Sequence, residues 1–308
     1  MQTRKLGSLE VSLVGLGCNN FGGRMDFDAT QAVVDAALDA GITLFDTADV
    51  YGGAGKSEEF LGRAIGDRRG DVVIATKFGM PMGEGKAGAA PAYVKDACDA
   101  SLTRLGVDVI DLYQLHAPDA NVPIAETLGA LDELVTAGKV REIGCSNFSP
   151  EQIAEAAKAS EQDGLARFVS VQNELSVLRG DLAVVDAAGT HGLGILPYFP
   201  LSSGMLTGKY KRGEAPPEGT RLAGMPEERR ERALSDKVFD KVERLEGFAT
   251  DKGHTVLELA MSWLAGLPNM GSVIAGATKP EQVRANAASV GWSLTADERT
   301  EVEAIARG

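Results

Sequence analysis

With 44% hydrophobic and 24% charged residues over 308 positions, the chain has enough apolar side chains for a sizeable core, and its composition excludes a disordered protein. A formal charge of −13 leaves no basic face for phosphate backbones or anionic lipid, which excludes nucleic acid and membrane surfaces as expected partners. Cys18, Cys98 and Cys145 lie far apart without a C-x-x-C spacing, and the opening MQTRKLGSLEVSLVGLG has no continuous apolar run, so a cytoplasmic protein without disulfides or a zinc site is expected.

Residues 2–13 read as a hairpin turning at Gly7-Ser8, a candidate plug for the bottom of a barrel. The first short apolar run is VGLG (14–17), followed by the helical pattern TQAVVDAALDAG (30–41). TLFDTA (43–48) precedes the helical SEEFLGRAIG (57–66), and VVIATKFG (72–79) precedes PAYVKDACDASLTRLG (91–106). VIDLYQLH (109–116) leads into IAETLGALDELVTAGK (124–139), and REIGCSNF (141–148) into PEQIAEAAKASEQ (150–162). In SPEQ, Ser149 is placed to cap a helix, Pro150 suits its first position and Gln152 reaches back to the cap. Gly41, Gly66 and Gly106 close other helices. FVSVQNEL (168–175), GILPYFPL (194–201) and SVIAGA (272–277) complete eight apolar runs. Alternating units of this kind predict a parallel sheet covered by helices, and eight of them allow closure. The expected fold is therefore α/β, a (β/α)8 barrel in one domain over residues 1–308, with an open doubly wound sheet as the runner-up. Residues 208–236 are polar and rich in Gly, Pro and charge; so long a connection reads equally as a lid or as a loose surface loop.

Active sites in barrels of this class sit at the carboxyl ends of the strands. The polar residues expected there are Asp46 with Tyr51 in the following loop, Lys77, His116, Ser146-Asn147, Gln172-Asn173 and Tyr198. Each alone has an ordinary reading as a turn, cap or satisfied core residue. Together, Asp46, Tyr51, Lys77 and His116 converge on one mouth. A cation beside a phenol stabilises the phenolate and lowers its pKa by about 1–3 units from about 10. Lys77 is placed to be that cation and Asp46 to keep it charged. Tyr51 would then protonate a carbonyl oxygen, with His116 donating a second hydrogen bond to it, so carbonyl reduction is the expected reaction.

The chain also resembles the aldo-keto reductases. The resemblance rests on DTADVYGGAGKSEEFLGRAI (46–65), IATKFG (74–79), IDLYQLHAPD (110–119), REIGCSNF (141–148), VQNELSVL (171–178), PYFPLSSGMLTGKY (197–210) and VIAGATKPEQVRAN (273–286), which run in family order over nearly the whole chain. It implies that Asp46, Tyr51, Lys77 and His116 form the catalytic tetrad with Tyr51 as the acid. It implies further that Ser146, Asn147 and Gln172 bind the nicotinamide carboxamide, that Tyr198 stacks on the ring, and that Leu201, Ser203, Gly204 and Lys209 clamp the pyrophosphate. Gly276, Thr278, Lys279, Gln282 and Asn286 fall at the adenosine end.

The last helix is expected to start near Pro280, with the tail after Trp292 too short to add much wall; its free amides suit a 2′-phosphate, and Lys279 adds a cation, so NADP(H) is expected in preference to NAD(H). Lys279 also reads as an ordinary exposed lysine. Gly276 and Ala277 stand where many family members carry Lys-Ser, and Gln282 where many carry Arg. Asn20 and Phe21 are candidate walls of the substrate pocket, with packing as the competing reading. VGLGCNN (14–20) lacks the third glycine of a dinucleotide turn, GMLTGKY (204–210) is a spacer short of a phosphate loop, and no histidine has a partner at metal-ligand spacing.

A small-molecule carbonyl compound is the expected substrate, without nucleic-acid or membrane partners; oligomeric state is left open. Two rivals remain at this level. Schiff-base chemistry on Lys77 requires a neutral amine, which Asp46 opposes. A redox-sensing regulatory subunit that binds nucleotide with little turnover fits the same residues.

Overall fold

The computed structural model describes residues 1–308. At the N-terminus β1 (Thr3–Leu6) and β2 (Leu9–Ser12) pair antiparallel, Leu6 opposite Leu9. Leu6, Leu9 and Val11 point into the barrel, where they form one apolar cluster with Leu44, Val73, Ala75, Leu112, Val169, Leu196 and Ile274. The hairpin thus closes the bottom of the barrel by burying its own apolar face.

The barrel consists of β3 (Val14–Gly17), β4 (Leu44–Asp46), β5 (Val73–Phe78), β6 (Ile110–Leu115), β7 (Val140–Ser146), β8 (Phe168–Gln172), β9 (Gly194–Ile195) and β10 (Val273–Gly276). All pair in parallel, each with its chain neighbour, and β10 pairs with β3. The remaining seam closes through a parallel bridge between Ile195 and Met270 and through Ile274 N–H donating to Pro197 O at 3.2 Å. Strands buried on both faces explain the near-continuous apolar runs.

The covering helices are α1 (Phe27–Asp39), the short distorted α2 (Tyr51–Ala54), α3 (Lys56–Ile65), α4 (Pro91–Leu105), α5 (Ile124–Thr136), α6 (Pro150–Asp163) and α7 (Ala183–His191). After β9 come α8 (Glu227–Ala233), α9 (Asp236–Asp251) and α10 (Val256–Ala265), and after β10 come α11 (Pro280–Ala288) and α12 (Ala296–Arg307). Ser149 and Gln152 make the expected capping box at α6. No helix is long and apolar enough to cross a membrane.

Two expectations are corrected. The helix at Pro280 is followed by α12, which buries Val302 and Ile305 against α9, so the tail after Trp292 adds a packed element. Residues 208–236 are not a loose loop: α8 lies within them, Leu222 is fully buried, and its amide donates to Tyr210 Oη at 3.4 Å.

Candidate active site

The strand ends deliver the predicted residues to one rim. Asp46 closes β4, Lys77 lies near the end of β5, His116 follows β6, Ser146 closes β7 and Gln172 closes β8. Lys77 Nζ donates to Asp46 Oδ2 at 2.7 Å and to Thr47 O at 2.8 Å, with both charged side chains buried. The ammonium stands 5.0 Å from the centre of the Tyr51 ring, and the His116 ring meets that ring edge-on at 5.7 Å between centroids. A buried ion pair persists when its remaining lone pairs are satisfied. Here Asp46 Oδ1 accepts from Gln172 Nε2 at 2.8 Å and from Gln114 Nε2 at 3.4 Å.

Electrostatics correct one expectation. Burial opposes the Lys77 ammonium, but Asp46 and Tyr51 outweigh it and hold its pKa above the ordinary lysine value. A neutral amine for Schiff-base formation is therefore disfavoured. For Tyr51, burial raises the phenol above its ordinary value, and the downward pull of Lys77 does not overcome it. The phenol stays protonated at neutrality, with the cation in place to stabilise the phenolate once a proton leaves. Burial and the Lys77 charge lower His116 to about 3, so its imidazole is neutral at pH 7. Its Nδ1 has no hydrogen-bond partner in the protein.

Around this centre Tyr198 Oη donates to Asn147 Oδ1 at 2.7 Å, Asn147 Nδ2 to His116 O at 2.9 Å, and Ser146 Oγ to Gln172 O at 2.7 Å. One cavity of about 850 Å³ runs from Asp46, Tyr51 and His116 past Ser146, Asn147, Gln172 and Tyr198. It continues along Leu201, Ser203, Gly204 and Lys209 to Gly276, Thr278, Lys279, Gln282 and Asn286. Lys77 sits beneath it, fully buried. Asn20 lines it and donates to Ala277 O at 3.4 Å. Phe21 does not: it is fully buried in the apolar core, so the expectation that it walls the pocket is corrected in favour of packing.

The groove is suited to a long anion. Ser202, Ser203 and Gly204 have consecutive φ values of 45°, 59° and 95°, a left-handed run of the kind that turns successive amides toward an anion. A Cβ on Gly204 would meet Lys209 Nζ at 2.5 Å. Partial burial and the nearby charge of Arg24 push Lys209 and Arg221 below their ordinary values, and none of the three makes an ion pair with a carboxylate within 4.0 Å. An anionic ligand relieves that crowding. At the far end Gln282 Oε1 accepts from Thr278 N–H at 2.8 Å, while Lys279, 67% exposed, stands 4.0 Å from Glu281 at the start of α11.

Gln114, Arg24 and Arg221 carry no sequence expectation. Gln114 is the one neutral polar amide in the strand IDLYQL, and an amide inside an otherwise largely apolar run is the signal that could have singled it out; the structure buries it fully. Arg24 and Arg221 lie in loops; Arg24 donates to Gly219 O at 2.8 Å, tying the loop after β3 to the long segment over the groove.

The family model for the aldo/keto reductase family matches residues 13–307. A protein of Arabidopsis thaliana described as a probable voltage-gated potassium channel subunit beta is 34% identical over 301 residues, covering 94% of this chain and 91% of its own length. A protein of Oryza sativa subsp. japonica with the same description is 34% identical over 296 residues, covering 93% and 90%.

Proposed function

The chain belongs to the aldo/keto reductase family, a family of nicotinamide-dependent oxidoreductases, and from that premise we propose that it reduces an aldehyde or ketone to the alcohol, and catalyses the reverse oxidation, with NADP(H) preferred over NAD(H). The observation that carries the reading is the buried Lys77 ammonium, held by Asp46 at 2.7 Å and facing the Tyr51 ring at 5.0 Å.

The reduced nicotinamide, when bound, supplies a hydride from C4 to the carbonyl carbon. Tyr51 donates its phenolic proton to the oxygen on which negative charge develops, and Lys77 stabilises the phenolate left behind. His116, neutral because its pKa lies at about 3, donates a second hydrogen bond to the same oxygen without competing for the proton. Asp46, fixed by Gln172 and Gln114, keeps Lys77 in place. Ser146, Asn147 and Gln172 would hold the carboxamide and Tyr198 would lie against the ring. Leu201, Ser203, Gly204 and Lys209, with Arg24 and Arg221, would hold the pyrophosphate. Lys279 and the amides at the start of α11 favour a 2′-phosphate, which supports the NADP preference. Because Gln282 Oε1 already accepts from Thr278, its amide group is left to donate toward the nucleotide, beside Asn286. In this reading the chain works as one barrel domain in the cytoplasm, on small carbonyl compounds, without nucleic-acid or membrane partners.

Tyr51→Phe should keep NADPH affinity and lose about 10²- to 10⁴-fold in kcat, measured as NADPH oxidation with a panel of aldehydes and ketones. Undiminished turnover would remove Tyr51 from the role. The description of the two relatives as channel beta subunits favours a second reading, a nucleotide-binding regulatory subunit with little turnover. The same assay separates the two, since that subunit binds NADPH and oxidises none of the panel at a significant rate.

A further inference from the structure

Tyr51 hangs on a loop that its own side chains do little to fix. Between β4 and α3, Gly52, Gly53, Ala54 and Gly55 are all left-handed, with φ of 70°, 77°, 61° and 94°, and neither α2 nor α3 has a side-chain cap. Such a run strains the alanine and leaves the glycines many alternatives, so contacts beyond the loop must hold it.

The anchor is Ser57, in the first turn of α3, fully buried and six residues after Tyr51. Its Oγ donates to Cys18 O at 2.8 Å, just past β3, and lies 2.8 Å from Thr47 Oγ1, just past β4. A serine hydroxyl carries one proton. With that proton committed to Cys18, the Thr47 hydroxyl is the donor between the two. Thr47, also fully buried, is pinned on its other sides: its N–H donates to Ala75 O at 2.8 Å, and its carbonyl accepts from the Lys77 ammonium at 2.8 Å. The loop folds back on the same anchor, since a Cβ on Gly52, next to Tyr51, would stand 2.9 Å from Ser57 N and 2.5 Å from Phe21 O. Glu58 accepts from Thr76 Oγ1 at 2.6 Å, so the first turn of α3 also grips β5 one residue before Lys77. The backbone that carries the phenol and the carbonyl that orients the ammonium thus meet at one pair of hydroxyls. Neither Ser57 nor Thr47 lines the cavity.

We propose that Ser57 is a positioning residue: through Thr47, its hydroxyl sets the place of the Tyr51 phenol relative to the Lys77 ammonium. The proposal rests on the reading of Tyr51 as the proton donor. Without the hydroxyl pair the loop and the Thr47 carbonyl shift independently, phenol and ammonium lose their alignment, and the phenolate formed on proton transfer is less stabilised. Misplacing a reacting group by up to an ångström costs about 10- to 100-fold in rate.

Ser57→Ala and Thr47→Val each remove one hydroxyl. Each should lower kcat for carbonyl reduction about tenfold and leave NADPH affinity, by fluorescence titration, and the KM for the carbonyl compound nearly unchanged. Each should also enlarge the solvent deuterium isotope effect, as proton transfer comes to limit the rate. Thr47→Ser, which keeps the hydroxyl, should recover most of the turnover. Added to Tyr51→Phe, either change should cost little more, because the group it places is gone. An undiminished kcat in Thr47→Val, losses that multiply with that of Tyr51→Phe, or NADPH affinity falling in step with kcat overturns the proposal. Should Ser57→Ala fail to fold, Thr47→Val decides. A Tyr51→Phe protein with full turnover removes the premise itself, whereas a strongly slowed Tyr51→Phe beside an undiminished Thr47→Val removes only the role of Ser57.

Discussion

His116 and Asp49 show how two buried groups can conceal each other in a stability measurement. His116 has its pKa lowered from 6.5 to about 3, so the unfolded chain binds its proton first and this side chain stabilises the fold less as pH drops below 6.5. Linkage makes that loss about 2 kcal/mol between pH 7 and pH 5. Asp49, raised from 3.8 to about 7, has the opposite sign: the folded state holds its proton more tightly, and its contribution is lost as pH rises through about 7. Acidification over the same interval returns about 2 kcal/mol. Asp49→Asn should therefore expose the His116 slope, losing about 2 kcal/mol of unfolding free energy from pH 7 to pH 5 in urea titrations, where the unaltered protein changes little from these two groups. The convergence of Asp46, Lys77, Tyr51 and His116 was legible in the sequence because polar side chains ending apolar strands must face a rim or be paired. The net direction of the Tyr51 shift was not, since it depends on how deeply the ring is buried.

Among the elements, the turn at Leu201–Thr207 does most to shape the groove. Gly204 has φ of 95°, and the added methyl of Gly204→Ala would both strain the backbone and meet Lys209 Nζ at 2.5 Å. Because Lys209 is a flexible side chain, the expected outcome is a displaced ammonium: NADPH binding weakened about tenfold by fluorescence titration, with kcat at saturating coenzyme changed much less. The sequence made this segment a candidate clamp through its resemblance, yet its left-handed run is a property of backbone that no residue pattern there announced. The eight strands were readable because each is buried on both faces and interrupts a helical period. α8, EERRERA, was missed because it buries no residue and shows no apolar stripe. α12 had a readable start in Thr295 and Glu298, which make a capping box.

For the whole molecule, the contrast between a net charge of −13 and a groove lined by Arg24, Lys209, Arg221 and Lys279 concentrates positive potential where the coenzyme's phosphates would lie. Closure of the barrel followed from counting units, but the seam between Ile195 and Met270 could be seen only in three dimensions. The N-terminal hairpin has the widest consequence. With Leu6, Leu9 and Val11 filling one end, Tyr51 and His116 are reached only from the other, where the nucleotide groove opens into the same cavity. Two ligands that share one doorway must queue, and the deeper lodger arrives first and leaves last. Product-inhibition kinetics should accordingly give a compulsory order, with oxidised coenzyme competitive against reduced coenzyme and the alcohol competitive against neither.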